Sequence, residues 1–147
     1  MSPRDFTPSV IQARLRQMRE LLEDIAALGP VTAAQLDSDR LRRYVVHQIL
    51  TQLVQLAVAI NSHLAASLLG RAVPGYRESF DAAVDAGALP RGLADALKPS
   101  VGLRNVLVHE YLDVDESIVA DAVPVALLDY ARYVIELARW LAERHQD

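Results

Sequence analysis

RYVVHQILTQLVQLAVAINSHLAASLLGR, residues 43–71, is the stretch that decides the fold. Between Arg43 and Arg71 there is no Asp, Glu, Lys or Arg, a span long enough to cross a bilayer. Its polar residues are ordered rather than scattered. Gln48, Gln52, Gln55 and Ser62 fall at 4-3-7 spacing on one side of a helix, and Val46, Ile49, Leu53, Leu56 and Ile60 form an apolar stripe opposite them. Amides and histidines inside a lipid-facing helix are costly, so this spacing predicts the long central helix of an amphipathic bundle, with no membrane partner. His63 lies one turn beyond Ile60 on the apolar side and reads as a core histidine.

Working outward, the upstream segment carries Ile11, Leu15, Met18, Leu22 and Ile25 at heptad-like spacing. Thr7 is placed to cap that helix with Pro8 at its first position, and Gly29-Pro30 stops it. Arg14, Arg16 and Arg19 read as a solvated face beside Glu20, Glu23 and Asp24, with a phosphate contact as the sharper reading. Ala33 to Asp39 reads as a linker, with Asp37 or Ser38 capping the long helix that runs to about Gly70. Downstream, Val73-Pro74-Gly75 is a turn, Tyr76 to Ala86 a short helix closed by Gly87, and Pro90 opens the next. Pro99 separates Arg91–Lys98 from a helix starting near Ser100. Leu112 to Asp115 is a break, with Asp115 or Ser117 as the following cap. Pro124 starts or kinks the last helix, whose core face is Leu127, Leu128, Ala131, Val134, Ile135, Ala138 and Leu141, anchored by Trp140.

No β-alternation of useful length and no internal repeat occurs, so the expected fold is all-α: an antiparallel four- to five-helix bundle, one domain over residues 1–147. The chain is 52% hydrophobic, enough for a sizeable core. It has no cysteine, which excludes disulfides, thiolate zinc sites and a Cys nucleophile, and fits a reducing, cytoplasmic compartment. The segment Met1 to Val10 lacks the apolar core of a signal peptide. A net charge of −4 argues against a broad basic face, so any nucleic-acid contact should be local. There is no Gly-rich phosphate loop, and His109-Glu110 begins like a zincin motif but meets Asp113 where the second His would stand. The four histidines are spread along the chain and suggest no metal cluster; no cofactor is expected.

The chemistry concentrates in Val101-Gly102-Leu103-Arg104-Asn105-Val106-Leu107-Val108-His109-Glu110-Tyr111. Val101, Leu103, Val106, Leu107 and Val108 read as core-facing. A guanidinium among them needs an anionic partner or a wet cleft, because an unpaired buried charge is costly. Arg104 and Tyr111, seven apart, share one helical face, and Asn105 and His109, four apart, share another. Arg104 and His109 lie about 140° apart around a straight helix, so they converge only if the helix loosens near His109 or a second protomer supplies half the site. RNA cleavage without metal needs a base for the 2′-OH proton and a fixed cation on the phosphate oxygens, which an imidazole and a guanidinium supply. Two other readings stay open on these residues: a binding module, and a structural dimer in which Arg104 pairs with Glu110 or Asp113.

Arg104-Asn105-Val106-Leu107-Val108-His109-Glu110-Tyr111 resembles the HepT toxins of the HEPN superfamily, whose mark is an Arg, four to six intervening residues, a His, and a Tyr two beyond it. Val73 to Phe80, Ala88 to Leu97 and Val101 to Asn105 are similar to the family's approach to that motif, and the likeness spans roughly Leu41 to Asp115. The resemblance implies a homodimeric, HEPN-like bundle and the toxin of a type VII-like HepT/MntA toxin–antitoxin system. It implies a metal-independent endoribonuclease with Arg104 and His109 as the catalytic pair and Asn105 in support. It also implies a partner, an MntA-type nucleotidyltransferase antitoxin that attaches AMP to Tyr111. One departure stands out: several relatives have acids where this chain has Gln55 and Ala59. It favours the alternative of a non-catalytic nucleotide- or protein-binding module that docks a nucleotidyltransferase.

Overall fold

A computed structural model describes residues 5–145. The expectation for the start of the chain lies outside them as far as Met1 to Arg4 are concerned. Seven helical segments follow one another: α1 (Pro8–Ala27), α2 (Ala33–Ser38), α3 (Arg40–Leu68), α4 (Tyr76–Asp85), α5 (Arg91–Leu97), α6 (Pro99–His109) and α7 (Glu116–His145). No strand occurs among the described residues. The count exceeds the expected four or five because two segments shorter than eight residues join the longer ones.

The long helices form the frame. α1 packs on α3 and α7, and α3 also carries α4 and α6, while α2 and α5 close against α7. The stripe read from sequence is the one buried: Val46, Ile49, Leu53 and Ile60 are core, and Gln48, Gln52 and Gln55 face outward. α3 is long and apolar enough to cross a membrane, yet 56% of its most apolar window is buried inside the fold. Ile11, Leu15, Met18 and Ile25 meet it from α1.

Three local expectations are corrected. Ala33–Ser38 is a helix rather than a linker, because Thr32 and Gln35 form a reciprocal capping box: each side chain accepts the other's backbone N–H. The cap of α3 is Asp39, whose carboxylate accepts from Arg42 N, not Asp37 or Ser38. Of the two readings for Pro124 the helix start is excluded: it sits inside α7 on the solvent side, where water can meet the carbonyl its missing N–H leaves free. The core face of α7 is also rotated from the expected one. Val119, Val123, Tyr130, Tyr133, Val134, Leu137 and Leu141 are buried, while Leu128 and Ile135 are exposed.

A polar relay crosses this core. The Tyr133 hydroxyl donates to Asn61 Oδ1 (2.7 Å), Asn61 Nδ2 donates to Ser79 Oγ (3.3 Å), and Ser79 Oγ donates to the Tyr76 carbonyl (2.7 Å). Asn61, Ser79 and Tyr133 are fully buried, so the chain of bonds is shielded from water and ties α7, α3 and the first turn of α4 together.

His63 is half-buried, and its Nε2 accepts the Thr7 N–H at the head of α1 (3.0 Å), with the ring stacked on Phe6. Burial, with the Arg14 charge nearby, holds the imidazole below the ordinary histidine range. The folded state therefore prefers neutral His63, and the unfolded chain binds its proton first as pH falls. Stability from this contact is present above pH ~6.5 and is lost as pH drops through the window between the unfolded value and the lower folded one. Thermal melts of wild type and His63→Gln from pH 7.5 to 5 should show a steeper acid loss in wild type; parallel curves contradict the assignment.

Candidate functional site

The motif helix α6 is moored at its start and free at its end. Pro99 occupies its first position, and Ser100 Oγ donates to the Leu97 carbonyl while sharing a 2.6 Å hydrogen bond with Tyr130 of α7. Val101 and Leu107 are buried beneath it, Leu103 and Val106 are half-buried, and Val108 is exposed rather than core-facing. That inner anchoring directs Arg104, Asn105 and His109 outward.

Arg104 is half-buried, with its guanidinium 5.0 Å above the ring of Tyr76. One of its terminal nitrogens donates to Asn105 Oδ1 (3.2 Å), and its Nε is buried with no hydrogen-bond partner. Among the described residues no carboxylate lies within ion-pairing distance of it. Arg104 stands on the wall between two depressions. One is an apolar groove of about 310 Å³ between α6 and α7, which also takes in Leu103, Ile118, Val125 and Tyr130. The other is a recess of about 460 Å³ lined by Tyr76, Arg77, Glu78, Val101, Arg104 and Asn105.

His109 is the last residue of α6 and is exposed. The helix stays regular to that point, with the Glu110 N–H still donating to the Val106 carbonyl (2.8 Å). The helix therefore does not loosen, and Arg104 and His109 leave it about 140° apart. Tyr111 lies beyond the helix, in a turn closed by Asp113 N to the Glu110 carbonyl, so it does not share Arg104's helical face. It is 65% exposed, whereas Tyr130 and Tyr133 are buried and burial pushes both phenols up.

The turn is pinned on its far side. Asp115 accepts from the Ser117 hydroxyl (2.6 Å) and backbone N–H (3.0 Å), and those bonds hold its carboxyl below the usual range. Glu116, nearly buried, meets His47 of α3 at 2.9 Å. Exposed apolar side chains occur at Leu41, Tyr44 and Val45 of α3, at Val108 and Leu112 flanking the motif, and at Ile118, Val125 and Leu128 of α7.

Other sequence candidates lie elsewhere. Arg14 shares a depression with Gln55 and Ala59 between α1 and α3, and Arg16 and Arg19 line another against α7; Arg104 borders neither. His63 serves the head of α1. No group of three His, Asp or Glu side chains suited to a metal comes together among the described residues. The residue that sequence reading passed over is Tyr76. It was legible only as a helix start, because its contact with Arg104 joins segments 28 positions apart.

Comparison with known proteins adds to this geometry. Residues 15–137 match the family described as Ribonuclease HepT-like. The chain is 30% identical over 140 residues to a tRNA nuclease HepT from Aphanizomenon flos-aquae, covering 93% of each. It superposes with a TM-score of 0.78 on a tri-AMPylated Shewanella oneidensis HEPN toxin solved in complex with an MNT antitoxin, at 22% identity, over 88% of this chain and 97% of that one. A cytosolic protein of unknown function, YutE of Bacillus subtilis, superposes with a TM-score of 0.74 at 16% identity, over 90% and 92% of the two chains. These two structural likenesses bear on the fold alone.

Proposed function

The chain belongs to the HepT-like ribonuclease family, and from that premise we propose that it is the toxin of a HepT/MntA toxin–antitoxin pair, a metal-independent RNA endonuclease working as a cytoplasmic homodimer. The observation that carries the reading is Arg104. Its guanidinium is held by a ring and an amide, and among the described residues no carboxylate lies within ion-pairing distance of it. Such a cation is set up for an anion from outside the chain, and a phosphate matches its fork.

In the proposed reaction Arg104 holds the non-bridging oxygens of the scissile phosphate and Asn105 steadies the guanidinium. His109 removes the 2′-OH proton as that oxygen attacks phosphorus; the bond to the 5′ oxygen breaks and that oxygen takes a proton from water, leaving a 2′,3′-cyclic phosphate and a 5′ hydroxyl, while His109 returns its proton to solvent. Since Arg104 and His109 diverge on one regular helix, each site takes its Arg from one protomer and its His from the other. The exposed apolar side chains on α6 and the first half of α7 support pairing through these helices. The HepT relative's action on tRNA makes tRNA the substrate class to test first. Purified protein should cleave tRNA with EDTA present; loss of cleavage in chelator contradicts metal independence. No cleavage in any condition favours the second reading, a docking module, for which the uncharged Gln55 and Ala59 speak.

An MntA-type nucleotidyltransferase is the proposed partner, and Tyr111 its target, because it is exposed, next to the motif and on a turn a second active site can enter. AMP on Tyr111 brings a phosphodiester charge and a bulky nucleoside to the cleft. A like charge ~6 Å from the substrate phosphate costs about 3 kcal/mol at an effective dielectric of ~20, on the order of 100-fold in binding. Wild type treated with partner and ATP should lose at least that much activity, while Tyr111→Phe resists silencing. A Tyr111→Phe protein that is silenced equally contradicts the assignment.

A further inference from the structure

We infer that Tyr76 is a positioning residue for Arg104, its ring holding the guanidinium in one orientation at the edge of the recess it shares with Asn105. This rests on the reading of Arg104 as the phosphate-holding residue and goes beyond it by naming what fixes that side chain.

An arginine has four rotatable bonds, and an exposed one samples many rotamers. Arg104 is constrained at two points instead: Asn105 Oδ1 takes one terminal N–H, and the Tyr76 ring lies 5.0 Å below the guanidinium carbon, inside the ~6 Å range of cation–π attraction. The platform is itself fixed. Tyr76 is the first residue of α4, and its carbonyl is the end point of the buried Tyr133–Asn61–Ser79 relay. A core hydrogen-bond chain thus sets the residue on which the guanidinium rests.

Charge completes the case. A carboxylate under Arg104 would hold it more firmly but would neutralise it and compete with phosphate. An aromatic face orients the cation and leaves its charge in place. Glu78 borders the same recess and forms no ion pair with Arg104. The ring and Asn105 occupy one face and one terminal nitrogen, and the buried Nε remains without an acceptor. The second terminal nitrogen makes no hydrogen bond among the described residues and, unlike Nε, is not sealed from solvent, so it can donate to a phosphate oxygen.

The test uses full-length wild type, Tyr76→Leu, Tyr76→Phe and Arg104→Ala with bulk tRNA as the probe, each checked for helix content and melting temperature. Tyr76→Leu keeps apolar bulk and loses the π face, and should lower kcat about tenfold with KM within about twofold. Tyr76→Phe keeps the ring and should restore most of the rate. A second readout needs no catalysis: the Arg104 Nε–H resonance in ¹⁵N-labelled protein should be dispersed in wild type and Tyr76→Phe, and collapse to the free-arginine position in Tyr76→Leu. If Tyr76→Leu cleaves like wild type while Arg104→Ala is dead, the positioning role is wrong and the nuclease reading stands. If Phe and Leu fall equally, the ring is not the cause and the inference fails. If Arg104→Ala cleaves like wild type, the reading of Arg104 as the phosphate-holding residue fails and takes this inference with it.

Discussion

Replacing His109 with alanine should lower tRNA cleavage by ~10²–10⁴-fold, the range that a positioned general base contributes. The effect should fall on catalysis rather than stability. His109 is exposed at the last turn of α6 and has no hydrogen-bond partner among the described residues, so its loss should change stability by no more than ~0.5 kcal/mol. A variant that cleaves at the wild-type rate removes His109 from the mechanism.

Replacing Arg104 with alanine should cost a comparable ~10²–10³-fold, the scale for losing one preorganised group that meets developing charge in the transition state. Arg104→Lys should not recover it. A lysine keeps the charge but presents a point donor on a flexible stem, with no planar edge for two phosphate oxygens and a poorer match to the Tyr76 face. If lysine restores the rate, the site needs only local positive charge, and the oriented fork is not part of the mechanism.

The long helices were readable because each needs only its own periodicity. The stripe Val46, Ile49, Leu53, Ile60 and the series Ile11, Leu15, Met18, Ile25 are buried where their spacing puts them. α2 was missed although its signal, Thr32 and Gln35 three apart, was present; six residues carry too little periodicity to show a helix unless the cap is recognised. On α7 the apolar pattern is wider than the core it serves. Leu128 and Ile135 match the stripe but face outward, and Tyr130 and Tyr133, outside the stripe read from sequence, are inside because Ser100 and Asn61 satisfy them.

For the site, sequence spacing located Arg104, Asn105, His109 and Tyr111 but overran the helix by two residues and so put Tyr111 on the wrong face. Contacts between distant segments were invisible to it. Tyr76 under Arg104 and His47 against Glu116 join helices that no local pattern pairs. The exposed Val108 has a similar origin. One chain's sequence does not say whether an apolar helix face is covered by the same chain or by another.

The central claim is that an arginine and a histidine from different protomers make one cleavage site, and subunit mixing tests it most directly. Arg104→Ala and His109→Ala homodimers should each be inactive. After exchange at equal concentration, half the dimers are mixed, and each contains one site with both groups intact, so about a quarter of wild-type activity should return. A mixture that stays as inactive as its parents, with subunit exchange confirmed by native mass spectrometry, contradicts a site shared between protomers.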